Sequence, residues 1–288
     1  MKTKRHDHST AFGLICGLIV ILSSSIWGQT DGSKILKTLK LFWDVPSIFI
    51  VICGSFCAIV VSFEWKTVAS VPSILKNAFL HKQLSKKQII ELFVKLSDQA
   101  RRSGILSLEN NLNEIHDSFM KSGVQMVVDG FDEKAIRNIQ TLKVDKLNER
   151  HKNCIQLFRM WANLAPSFGM LGTFMGLIEM MDNFKDMSKF GSAFATVLVT
   201  SFYGVILANL VFGPLANKLD IKNAEEENRM EMILEGTIGI SAEINPRVME
   251  DKLKAFLSPA ERLSYELVNI QNIKDARDED EKVKKDVA

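Results

Sequence analysis

The 288-residue chain is 47% hydrophobic and carries a formal net charge of +2. That size bounds it to one or two soluble domains or a modest membrane protein, and the balanced charge gives no sign of a nucleic-acid partner. Cys16, Cys53, Cys57 and Cys154 lack the neighbouring ligands of a zinc site and read as unpaired structural thiols, with no cofactor implied.

The chain opens on a basic segment, MKTKRHDH, followed by an uncharged run at 10–27, TAFGLICGLIVILSSSIW. A basic leader before an apolar run can be a signal peptide, and Ser23, Ser24 and Ser25 are small enough for a cleavage site. Three further apolar runs favour a retained first span instead. They lie at 46–63 (PSIFIVICGSFCAIVVSF), about 160–181, and about 190–213 (FGSAFATVLVTSFYGVILANLVFG). Each approaches the length of about 20 residues that a helix needs to cross hydrocarbon.

Between the second and third runs, SKKQIIELFVKLSDQARRSGILSLENNLNEI has apolar residues at helical spacing from 89 to 115. Ser85 is the expected N-cap, with Gln88 completing a capping box, and Ser103-Gly104 is expected to end one helix before another begins. A second stretch, about 132–160, enters the third run without a break, so one long helix is expected to leave the membrane. A matching helical pattern follows Pro214. The last fifteen residues, KDARDEDEKVKKDVA, have almost no core formers and are expected to be disordered.

The fold class expected is an all-α membrane protein with four transmembrane helices and a large helical cytoplasmic domain between spans two and three. Lys and Arg number three in the leader, fourteen in 64–150 and twelve after Pro214, against three in 28–45 and two in 182–189. The bias places both termini and the 64–150 block in the cytoplasm. The division expected is a leader and first hairpin (1–63), a cytoplasmic helical domain (64–150), long helices with the second hairpin (151–215), C-terminal cytoplasmic helices (216–272) and a charged tail (273–288).

The third and fourth spans carry small and weakly polar stripes. Gly169, Thr173 and Gly176 share a helical face, with Pro166 one turn earlier; Thr196, Thr200, Gly204 and Ala208 repeat every four residues, with Ser201 beside Thr200. Small residues let membrane helices pack closely, which accounts for the glycines alone. The hydroxyls also suit a path for a small cation. Such paths normally contain a carboxylate, yet the only acid in any span is Glu179, near an outer end where it can reach water. A titrating group for ion movement would therefore come from another chain. Pro166 and Pro214 are read as marking the inner ends of their spans, where each would kink the helix or hinge it against the cytoplasmic helices.

APSFGMLGTFMGL at 165–177, ATVLVTSFYGVILANLVFGPLANKL at 195–219 and DQARRSGILSLE at 98–109 together resemble the A subunit of the bacterial flagellar stator, the family of MotA and its sodium-driven relative PomA. The resemblance covers most of residues 10–260. It implies a homo-oligomeric ring of five copies around two single-span B subunits (MotB-like), which supply the ion-binding aspartate. Thr173, Thr200 and Ser201 fall where the family places pathway hydroxyls, and Pro166 and Pro214 fall on its paired prolines. Arg101 and Glu109, with Arg102 adjacent, fall on the charges that engage the rotor's switch-complex protein (FliG-like). The function implied is cation flow converted to torque, with a proton taken ahead of sodium; Thr173 occurs in both ion types and does not separate them. Ser201 stands where many relatives have threonine, which keeps the hydroxyl.

Two other classes share part of this pattern. The energy-transducing subunits TolQ and ExbB share a Gly-Thr-rich span but have three spans, and this sequence offers four. A non-conducting membrane scaffold would use the stripes only for packing. No Ser-His-Asp, metal or phosphate-loop constellation points to an enzyme, and His81, His116 and His151 sit in ordinary contexts.

Overall fold

The computed structural model describes residues 8–27, 35, 38, 40, 42–80, 84–182, 184–185 and 187–268. The charged tail expected to be disordered lies outside the described residues. All regular structure among them is helical.

The described chain begins with α1 (His8–Ile26), whose apolar stretch Phe12–Ser24 is shorter than a full span. α2 (Val45–Ser62) is of span length and is interrupted by a widened π-helical turn at Phe49–Gly54. Asp44 starts it as N-cap, accepting from the Ser47 amide at 3.0 Å, and Pro46 fits the first turn because its missing N–H is not needed there. α3 (Trp65–Leu80) follows. α6 (Glu133–Asp182) is the single long helix expected from the unbroken pattern, and it runs on through Pro166. α7 (Met187–Ile206) passes through a second π-helical turn, Leu207–Phe212, into α8 (Gly213–Ser241). Among the described residues, three helical stretches thus reach span length and a fourth apolar helix precedes them.

Two compact units divide the chain. The first comprises 1–82 and 148–223, the second 83–147 and 224–288. α3 therefore belongs with the apolar helices of the first unit. In that unit Val51, Cys154, Ile155, Phe158, Ala165, Phe212, Ala216 and Leu219 form a shared core. Large apolar side chains such as Phe174, Ile178, Leu198 and Val205 remain exposed on α6 and α7, as membrane helices require.

The second unit holds α4 (Lys86–Ser103), a 3-10 turn at Ile105–Asn111, α5 (Ser118–Val128), the ends of α6 and α8, α9 (Pro246–Lys254) and a last helix at 259–268. The capping box at Ser85 and Gln88 is present. α4 stops at Gly104, whose φ of 82° is open to glycine and costly for other residues. The expected second helix beyond it is instead a 3-10 turn, and 115–117 is not helical before α5 begins. Leu108, Leu112 and Ile115 are buried all the same, beside Phe93, Leu96 and Ala100 of α4. Burial of these side chains was legible in the spacing; the backbone that carries them was not.

Polar contacts tie this unit together. Arg229, nearly buried, pairs with Asp117, which also caps α5 through the Phe119 and Met120 amides. Glu235 on α8 joins two helices, accepting from Arg137 of α6 at 2.9 Å and Lys252 of α9 at 2.5 Å. Burial pushes the Glu235 carboxyl up, but the hydrogen bonds and charges of Lys252 and Arg137 outweigh it and hold the group below its ordinary value.

Candidate functional site: the packed face of α6 and α7

The two helices that carry the hydroxyl stripes pack through glycine. A methyl group at Gly169 would lie 3.0 Å from the Thr200 carbonyl oxygen, and one at Gly204 would lie 2.8 Å from the Ala165 carbonyl oxygen and 3.0 Å from the Pro166 Cα. At Gly172 it would meet Thr200 Cγ2 at 2.6 Å, and at Gly176 it would meet Val197 Cγ2 at 2.7 Å. Backbones can approach this closely only without side chains between them, the usual use of small residues in membrane helix pairs.

This contact revises the expected faces. Gly169, Gly172 and Gly176 are all buried against α7, whereas Thr173 is half-exposed at the edge of that face. Steps of three and four both keep a helical face, so the spacing alone allowed Gly172 or Thr173 between the other two glycines. Packing selects the residue without a side chain. Thr200 is fully buried, and its hydroxyl donates to the carbonyls of Thr196 at 2.6 Å and Val197 at 3.2 Å. Thr173 donates to the Met170 carbonyl at 2.5 Å. Both hydroxyls spend their proton on their own helix, which satisfies them in an apolar surrounding and leaves oxygen lone pairs as the groups they can offer a cation. Ser201 is half-buried next to Thr200.

The two prolines stand at different levels along the helix pair. Pro166 sits beside Gly204. Pro214 lies ten residues past Gly204 on α7–α8, about 15 Å further along a helix axis. Pro214 lacks the N–H that would bond the Leu210 carbonyl, and the π-helical turn Leu207–Phe212 ends two residues before it.

At the end of α4, Arg101, Arg102 and Glu109 are exposed. Arg102 is held by Asp98 one turn back at 3.0 Å. Arg101 and Glu109 form no ion pair among the described residues. The three lie on α4 and on the following 3-10 turn, so Gly104 separates the arginines from the glutamate.

Trp161 was not singled out in the sequence. Its indole Nε1 donates to Ser55 Oγ at 2.9 Å, and its ring stacks on Phe212 with centroids 4.3 Å apart and planes 15° apart. The signal available was an aromatic with one polar atom near the inner end of an apolar run, a common place for tryptophan in membrane helices.

These features define a class: an all-α membrane protein in which two hydroxyl-bearing span helices are packed through glycine and continue into a helical domain. Residues 111–232 match the MotA/TolQ/ExbB proton channel family. The chain is 44% identical to motility protein A of Borreliella burgdorferi, covering 82% of this chain and 93% of that protein. It is 33% identical to the chemotaxis protein PomA of Vibrio alginolyticus, covering 89% and 97%. The flagellar MotAB stator complex from Bacillus subtilis superposes with a TM-score of 0.80 at 28% identity, covering 88% of this chain and 98% of the solved one. The chain belongs to the MotA/PomA family.

Proposed function

We infer that this chain is the ion-conducting A subunit of a bacterial flagellar stator, a multi-pass protein of the inner membrane that couples cation flow to torque. The observation that carries the reading is the likeness to motility protein A over nearly that protein's whole length. The family is one of ion-channel subunits rather than enzymes.

The chain works with a B subunit and as an oligomer; the solved Bacillus assembly is a complex of MotA with MotB. Spans three and four carry no acid except Glu179 toward the outer end, so the partner supplies the ion-binding aspartate. Thr173, Thr200 and Ser201 line the path beside it, and a proton is the coupling ion. Five copies surround two B subunits. Pro166 acts as a hinge within the span pair and Pro214 as one at the membrane exit. Arg101, Arg102 and Glu109 meet the rotor's switch-complex protein. Exposed ion pairs contribute about 0–1 kcal/mol each, which suits a contact that must engage and release repeatedly. Both termini lie in the cytoplasm, in keeping with the basic leader and the twelve Lys and Arg after Pro214.

The test is complementation of a non-motile strain lacking its own stator, with this chain and its B partner expressed together and singly. Swimming is expected only with both. A protonophore is expected to stop it and sodium depletion to leave it unchanged; the reverse pattern would assign sodium. No swimming from the assembled pair would overturn the stator reading.

A further inference from the structure

The described residues of the first unit include two π-helical turns, Phe49–Gly54 in α2 and Leu207–Phe212 between α7 and α8. A π-helical turn shifts the register of backbone hydrogen bonds by one residue, and such turns are adaptable points in otherwise stiff helices. Here one side chain from a third helix touches both. Trp161 of α6 donates to Ser55, the residue that directly follows the first turn, and stacks on Phe212, the last residue of the second.

Each contact is specific. Ser55 is fully buried, and its hydroxyl donates to the Val51 carbonyl at 2.5 Å while accepting from the indole. The Trp161–Ser55–Val51 chain therefore reaches the backbone inside the first turn. On the other side, the near-parallel rings of Trp161 and Phe212 set the distance between α6 and the second turn. Phe158 and Phe56 lie at 6.3 Å and 5.7 Å from the same indole and limit its other movements. Indole has a large rigid face and a single donor, so it can hold one turn by stacking and the other by a hydrogen bond.

We propose that Trp161 is a positioning residue that joins the two π-helical turns through α6, so that movement of the Pro166–Thr173 segment is passed to α2 and to the Pro214 exit together. Trp161 precedes Pro166 by five residues on the same helix, about 7.5 Å along its axis. The indole donates to Ser55 and not to an ion-path hydroxyl; its part is to keep α6 from moving independently of its neighbours. The proposal rests on the stator reading.

The test reads torque per stator unit separately from the number of units. In a tethered motor recovering from depletion, speed rises in steps as units of the complete complex join; step height reports torque per unit and step number reports assembly. Trp161→Phe keeps the stack and removes the donor, and Ser55→Ala removes its acceptor. Each is expected to lower step height about twofold or more, the scale set by losing one neutral hydrogen bond, with step number unchanged. The double variant is expected to be no worse than either single one, because both remove the same link, and Ser55→Thr is expected to restore step height. Unchanged step heights, additive losses, or a loss confined to step number would overturn the proposal. Where Trp161→Phe fails to assemble, the Ser55→Ala and Ser55→Thr pair decides in the same way. Absence of any steps from the unsubstituted chain with its partner would instead overturn the stator reading itself.

Discussion

Gly172 of α6 lies against the side chain of Thr200 of α7, so that a methyl group on Gly172 would come within 2.6 Å of Thr200 Cγ2 and 2.9 Å of its Cβ. Thr200 cannot swing aside cheaply, because its hydroxyl is bonded to the Thr196 and Val197 carbonyls. The hydroxyl proposed to serve the ion path is thus set in place by the absence of a side chain on the facing helix.

Gly172→Ala is expected to destabilise the assembled complex by about 1–3 kcal/mol, the usual range for overpacking a tight core. Thermal unfolding in detergent measures it. Thr200→Ser deletes the methyl group nearest the intruding carbon and keeps the hydroxyl. The double variant Gly172→Ala/Thr200→Ser should therefore recover part of the lost stability. A double variant less stable than Gly172→Ala alone would show that the two residues do not touch as described.

The hydroxyl itself can be separated from the space it fills. Thr200→Val keeps nearly the same volume and removes the oxygen, whereas Thr200→Ser keeps the oxygen. If the oxygen serves the ion, Thr200→Val should lose about 1 kcal/mol of ion stabilisation, about fivefold in flux, with Thr200→Ser close to the parent. Ion flux into vesicles carrying the complete complex distinguishes the two. A Thr200 hydroxyl that serves only packing predicts equal flux in both variants.

Glu235 makes the second unit sensitive to acid. Its carboxyl is held below the ordinary value by Lys252 and Arg137. A group whose folded value is depressed stabilises the fold above its unfolded value and loses that contribution as pH falls through the folded one. Melting temperature measured on the intact complex should therefore fall as pH drops below about 4.3, the ordinary glutamate value. Glu235→Gln should flatten part of that fall and cost about 1 kcal/mol or less at neutral pH, since both partners are substantially exposed. An unchanged pH profile in Glu235→Gln would remove Glu235 as a source of the acid sensitivity.

Features set by local chemistry were readable in advance. The capping box at Ser85, the stop at Gly104 and the unbroken run of α6 through 133–182 follow from short-range patterns. Features set by one helix meeting another were not. Helical spacing placed Gly169 and Gly176 on one face but allowed either Gly172 or Thr173 between them, and only contact with Thr200 decides. The same holds for Pro166, whose approach to Gly204 no local pattern shows. It holds again for Trp161, whose partners Ser55 and Phe212 are 106 residues before it in sequence and 51 after it (161 − 55 and 212 − 161).

The charges near Gly104 can be ranked by what already holds them. Arg102 is engaged by Asp98 on its own helix, whereas Arg101 and Glu109 are exposed and form no ion pair among the described residues. If this edge engages the rotor, reversing Arg101 or Glu109 should weaken torque more than removing Arg102. Arg101→Glu and Glu109→Lys are expected to slow swimming markedly while leaving membrane levels of the complex normal, because neither removes an interaction within the fold. Arg102→Ala gives up only an exposed pair one helical turn apart, about 0.3–0.5 kcal/mol of stability, and should have the smallest effect on torque of the three. Swimming speed and stator number per motor, measured together, separate a lost rotor contact from lost assembly. Parental speed in the Arg101→Glu/Glu109→Lys double reversal, with normal stator number, would show that these charges carry no rotor contact. If instead a compensating reversal on the rotor protein restores speed to the double variant, the contact is direct, since two exposed charges restore each other's effect only when they face one another across the interface.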